Sequence, residues 1–334
     1  MKNENMKKII ESISQNFIYI FLLILIVLIA FVNPRFLSLV TLRDILLQSS
    51  TRVIIAIGMF CILLTGGVDL GAGRVIGLAA VLSASMLQTP DYARRFFPDL
   101  PQLPLWLPIV IAILAGIAVG LLNGIIISKF SVPPFIATLG TQVIAYGVTS
   151  IYFDLPPNNS QPIGGLRKDF TFIGSGSIGG VPIIVIIAIV IAVIAWIVFN
   201  KTSFGKYTYA IGGNRQAAEV SGINVKLMLL LIYTIAGACF GFAGVLEAAR
   251  TGGATNNYGF MYEFDAISAC FVGGVSTTGG VGTVPGVLAG VLIFGVINYG
   301  LTFIGINPYW QYILKGIVIV VAVSIDIRKY LTRK

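Results

Sequence analysis

The chain has 334 residues, of which 57% are hydrophobic and only 10% charged, with a formal net charge of +9. A soluble domain carries roughly 25% charged residues, so this chain cannot clothe a large core in polar surface, and much of its surface must face lipid. It contains no histidine, which excludes any triad, general base or metal site that needs an imidazole from this chain.

Inside lipid every backbone polar group must be paired within the protein, which leaves helices or closed barrels. The apolar runs are continuous, as in FIYIFLLILIVLIAFV and VPIIVIIAIVIAVIAWIVF, whereas barrel strands would alternate. In chain order, MKNENMKKII and an amphipathic ESISQNF lead into a first run, 17–33. That run ends in NPRFLS rather than a small-residue cleavage site, and reads as a retained helix. Further spans are predicted at 45–64, 72–88, 106–128, 134–153, 181–199, 227–247, 263–280, 283–303 and 309–326. The reading is an all-α polytopic integral membrane protein with about ten spans of about 20 residues each. It forms a single domain, 1–334, with both ends on one side.

The side follows from the basic residues, which are enriched in cytoplasmic loops. Both termini and the 200–226 loop, with Lys201, Lys206, Arg215 and Lys226, vote for the cytoplasm. The opposite face carries Arg35, Arg43, Arg94, Arg95, Arg167 and Lys168. Two long, turn-rich segments are expected there: TPDYARRFFPDLPQLP and DLPPNNSQPIGGLRKDFTFIGSGSIGG. The second contains Asn158-Asn159-Ser160, a chance-prone match to a glycosylation triplet.

No GxxxxGK[ST] loop, Rossmann fingerprint or G-x-S-x-G elbow is present, which argues against an enzyme and against ATP binding by a P-loop in this chain. Cys61, Cys239 and Cys270 are far apart in apolar stretches and read as small core residues. A faint echo links Gly66-Gly67-Val68 with Gly273-Gly274-Val275, both at helix junctions on the cytoplasmic side. Such glycines suit close helix contacts or broken helices. The 200–226 loop is expected to hold a short helix, Arg215–Val220, capped by Asn214 and stopped by Gly222. A short polar helix under a membrane domain is a handle for a soluble partner.

Polar residues inside the spans are Asn123, Thr138, Thr141, Gln142, Thr234, Asn298 and Gln311. They suit either interhelical hydrogen bonds or the wall of a polar path. Ionisable groups are read at span ends: Asp69 ahead of the third span with Arg74 a turn on, Glu247 with Arg250, and Glu263 with Asp265. Lys315, one to two turns inside the last span, is expected to snorkel outward or to face protein.

GGVDLGAGR, GGNRQAAEVSGI and GFMYEFDAISACFVGGVSTTGGVGTVPGVLAG, with QSSTRVIIAIG, PPFIATLGT and INYGLTFIGINPYWQYILKG, resemble the sugar-importing ABC transporter permeases of the ribose/galactose kind. Within that family the galactose/methyl galactoside branch is nearest. The resemblance implies a bacterial inner-membrane importer subunit that works as a homodimer. A cytoplasmic ATPase would hold the ATP and Mg, with no cofactor on this chain, and a periplasmic sugar-binding protein would deliver the cargo; lipid, not nucleic acid, surrounds it. Gly213, Asn214, Arg215, Gln216, Ala217, Ala218, Glu219, Val220, Ser221 and Gly222 are then the ATPase-coupling helix. Asn123, Thr138, Thr141, Gln142 and Asn298 are candidates for the sugar path, and the six outer basic residues are candidates for binding-protein docking. Alternatives are a ribose permease, a secondary transporter or channel, and a membrane enzyme.

Overall fold

The computed structural model describes residues 23–24, 26–307 and 309–331. The expected first span falls largely outside these residues, with helix at 26–32 its described end. After a 3-10 turn, Pro34–Leu37, come α1 (Leu39–Leu63), α2 (Ala72–Met86), α3 (Trp106–Lys129) and α4 (Pro134–Phe153). Then follow α5 (Lys168–Ser175), a two-strand hairpin of β1 (Ser177–Ile178) and β2 (Val181–Pro182), and α6 (Ile183–Lys201). The chain continues through α7 (Ser203–Gly213), α8 (Arg215–Val220), α9 (Val225–Thr251), α10 (Tyr262–Val272), α11 (Val284–Phe303) and α12 (Tyr309–Leu331). Among the described residues, six helices are long and apolar enough to cross a membrane: α1, α3, α4, α6, α9 and α11.

α1 and α9 form the centre, while α3, α4 and α6 keep much of their apolar surface outward. The most extensive helix pair is α3 with α9. Gly116 and Gly120 of α3 lie against the backbone of Tyr233, Gly237 and Gly241 of α9, where any Cβ would overlap main-chain atoms. Small residues four apart let two backbones approach and gain van der Waals contact that lipid cannot supply. Around α1 and α9 lies a core containing Ile54, Phe60, Tyr233 and Phe240.

A second core sits under the long connections and contains Leu87, Phe96, Phe153 and Phe170. These connections form a cap rather than free loops. Gln88 bonds Gly164 through Nε2 at 2.7 Å and accepts the Phe96 N–H at 2.6 Å. Ile163 and Ala254 form a bridge. Asn158 is buried and donates to the Phe153 carbonyl at 2.7 Å, so the triplet it opens presents no free amide.

Most predicted spans match helices closely, but the one at 263–280 does not. α10 stops at Val272, and 273–283 is non-helical. Gly274, Gly279 and Gly280 have φ of +85°, +89° and +72°, a region that glycine enters freely and a right-handed helix does not use. α10 and α2 are thus both short, and each joins its neighbour through a glycine-rich connection, 273–283 and 64–71. The two connections touch: Gly280 N–H donates to the Leu64 carbonyl at 2.8 Å.

Candidate functional site

The 200–226 segment folds as two helices rather than one helix in a loop. Thr202 leads into α7, and the turn into α8 falls on Asn214, whose backbone is extended and whose side chain accepts the Ala217 N–H at 3.0 Å. Gly213 is the last residue of α7, and the sharp turn falls one residue later, on Asn214. Gly222, with φ +85°, ends the segment as expected. On α8, Arg215, Gln216, Ala217 and Glu219 are exposed, as are Gly213, Asn214, Ser221 and Gly222 beside it. Val220 is 90% exposed. Ala218 faces the other way and is 4% exposed, so its smallness serves packing within this chain rather than contact with a partner.

α7 carries α8 onto the junction of the two glycine connections. Gly212 packs on the Leu64 carbonyl and the Gly280 N–H, and the Tyr209 hydroxyl donates to the Gly282 carbonyl at 2.8 Å. The helix under the membrane domain therefore rests on the ends of α1 and the approach to α11.

Three of the five path candidates meet in one buried seam. Asn123, Thr138 and Thr141 are all buried. Thr141 donates to Asn123 Oδ1 at 2.7 Å, and Asn123 Nδ2 lies 3.4 Å from Asp69 Oδ2. Asp69 Oδ1 accepts the Gly71 N–H at 2.7 Å, and Thr138 accepts the Leu70 N–H at 3.2 Å. This seam pins the 64–71 connection to α3 and α4 by satisfying polar groups that lipid could not. Gln142 is half-buried on α4 beyond it.

Asn298 belongs to another setting, a cavity of about 210 Å³ between α1, α10, α11 and α12. Its wall includes Gln48, Ser49, Arg52, Asp265, Gln311 and Lys315. Asp265 lies between two cations, with Arg52 Nε at 3.4 Å and Lys315 Nζ at 2.5 Å. The Arg52 guanidinium sits 3.3 Å from the centre of the Tyr262 ring. Tyr262 donates to Glu247 Oε1 at 3.0 Å, and Glu247 holds Arg250 at 2.7 Å and accepts from Thr51 at 3.0 Å. Glu247 and Arg250 pair as the sequence suggested. Lys315 does not snorkel: it is buried against Asp265, because a carboxylate one helix away offsets its desolvation. Arg52, near the middle of α1, escaped the sequence reading altogether; a lone arginine inside an apolar run was the available signal.

The outer basic residues divide. Arg35, Arg43, Arg94 and Lys168 are exposed. Arg95 instead donates to the Pro98 and Leu100 carbonyls at 2.7 and 2.5 Å, and Arg167 binds Asp169 and the Leu103 carbonyl at 2.5 and 2.6 Å. The guanidiniums of these two brace the cap.

The family described as "Branched-chain amino acid transport system / permease component" matches residues 41–323. The galactose/methyl galactoside import permease protein of Escherichia coli (strain K12) is 49% identical over 334 residues, 99% of both chains. That of Haemophilus influenzae (strain ATCC 51907 / DSM 11121 / KW20 / Rd) is 51% identical over 331 residues, 98% of both. The ribose import permease protein of Bacillus subtilis (strain 168) is 37% identical over 310 residues, 92% of this chain and 91% of that one. No solved structure matches the chain. The chain therefore belongs to this permease-component family, as a multi-pass transport subunit and not an enzyme.

Proposed function

We propose that the chain is the membrane-spanning permease subunit of an ATP-driven importer for galactose or methyl galactosides in a bacterial inner membrane. The observation that carries this reading is end-to-end identity near one half with galactose/methyl galactoside permeases, against about a third with ribose permeases. A cytoplasmic ATPase holds ATP and Mg and engages α8; a periplasmic sugar-binding protein delivers cargo to the opposite face. The basic loops support a reading in which α8 and both termini lie in the cytoplasm and the chain crosses about ten times, with α2 and α10 as its short spans.

Two copies assemble around the path. α4 supports this: Ile136, Leu139, Val143, Ile144 and Ile151 are exposed on it, and Gly140 has open space around it. Among the path candidates, Asn298 is retained. Among the docking candidates, Arg35, Arg43, Arg94 and Lys168 are exposed and have no ion pair among the described residues, which suits them to steer an acidic partner, an effect that weakens with salt.

The test is uptake of radiolabelled galactose into vesicles holding the permease with its ATPase and binding protein. ATP-dependent galactose uptake, with a permease dimer by native mass spectrometry, is expected. Uptake of ribose but not galactose overturns the cargo; uptake without the ATPase overturns the energy source; a monomer in the active complex overturns the assembly.

A further inference from the structure

The cavity around Asn298 has the chemistry of a ligand site. Its volume, about 210 Å³, is below the 300–1,000 Å³ typical of pockets for drug-sized ligands, and suits something the size of a monosaccharide. Gln48 is exposed and Asn298 half-buried on this wall, so both are within reach of a molecule that enters.

The charges narrow the ligand further. Each cation on the wall already has a carboxylate: Arg52 and Lys315 share Asp265, and Arg250 holds Glu247. A free ion would have to compete with these pairs. A neutral molecule with several hydroxyls would not, and the Gln48 and Asn298 amides supply both donors and acceptors for it. Tyr312 and Phe260, also on the wall, offer apolar surface for sugar C–H groups. Gln48 and Phe260 are exposed, so the cavity has a mouth.

We propose that this cavity is a transit site for a neutral monosaccharide within each permease chain, with Gln48 and Asn298 as its hydrogen-bonding groups. The proposal rests on the sugar-permease reading above. It adds that the chain itself holds the sugar briefly rather than offering a featureless conduit.

The test uses the permease–ATPase complex in lipid nanodiscs. Cys61 and Cys270 are buried, so Asn298→Cys in a Cys239→Ser background gives one accessible thiol. Galactose should slow its modification by a small water-soluble thiol reagent several-fold, and Gln48→Ala should raise the galactose concentration needed. In vesicles, Gln48→Ala with Asn298→Ala should lower uptake at least tenfold while ATPase stimulation by the binding protein persists. Normal uptake by that double variant overturns the proposal, as does a modification rate indifferent to every neutral sugar in a complex that takes one up. Protection by galacturonate but not galactose overturns the neutral-ligand assignment. If the wild-type complex takes up no sugar at all, it is the transport reading that falls, and sugar protection of the thiol still decides the site.

Discussion

Gly212 on α7 rests directly on the carbonyl oxygen of Leu64, the same oxygen that accepts the Gly280 N–H at 2.8 Å. A methyl group at 212 would overlap that oxygen, whereas one at the neighbouring Gly213 would meet nothing within 4 Å. Gly212→Ala is therefore expected to cost about 1–3 kcal/mol, the usual range for overpacking. Gly213→Ala, on an exposed surface, should stay within about 0.5 kcal/mol of wild type. Denaturant titration of the detergent-solubilised protein, read by fluorescence, compares the pair. Equal effects would mean that α7 is not seated on the 64–66 turn.

The same contact shows where the sequence was legible. Long apolar runs declared α1, α3, α4, α6, α9 and α11, because lipid forces the backbone into helix wherever water is absent. Asn214 and Gly222 declared the ends of α8, because a side-chain acceptor and a positive φ are local requirements. Hydropathy failed at 263–280, since glycine is nearly neutral on such a scale and does not itself mark where the helix stops. It also could not reveal which polar residues meet. Asn123 and Asn298 look alike in sequence, yet one is locked between Thr141 and Asp69 and the other lines a cavity.

Buried ions supply a second prediction. Asp265 lies between Arg52 and Lys315, and all three lie among packed helices. Removing one member of a buried pair typically costs about 3–5 kcal/mol, because the charge left behind keeps its desolvation penalty. Lys315→Met leaves Asp265 with Arg52 alone and should therefore lower the unfolding free energy by less than that, about 1–3 kcal/mol, while Lys315→Arg keeps the charge and most of the stability. Thermal unfolding in nanodiscs gives the ranking. A Lys315→Met protein as stable as wild type would remove the pair from the list of what holds α10 to α12.

Spacing supplies a third. Gly116, Gly120 and Gly124 recur every fourth residue on α3, and Gly237 and Gly241 do so on α9. A Cβ at Gly120 would overlap the Tyr233 carbonyl, and one at Gly140, on α4, meets nothing within 4 Å. Gly120→Leu should prevent the close crossing and yield little folded protein in the membrane. Gly140→Leu should fold with wild-type stability and disturb only whatever packs against α4 from outside, read as a shift in oligomer mass. A Gly140→Leu protein that fails to fold would show that α4 has an in-chain neighbour at that position.

The last prediction concerns α8. Its buried residue, Ala218, and its most exposed apolar residue, Val220, divide two tasks that the sequence alone assigned together. Ala218 seats the helix: Ile223 N–H returns to its carbonyl at 3.1 Å, and the methyl packs into the same core as Met228 and Ile232. Ala218→Trp is then a change to this chain's own packing, costing about 1–3 kcal/mol by overpacking and displacing α8 before any partner is met. Val220 projects into solvent and is the side chain a partner cleft would bury. Burying a valine contributes roughly 1.5 kcal/mol, so Val220→Asp should weaken ATPase binding by about tenfold or more without lowering the permease's own stability. Glu219→Arg, next to it, should alter the salt dependence of that binding. The measurement is the dissociation constant between nanodisc-held permease and the purified ATPase, taken alongside unfolding of the permease alone. Val220→Asp binding the ATPase as tightly as wild type would mean that α8 does not enter the partner's cleft, and the coupling role would pass to the α7 surface instead.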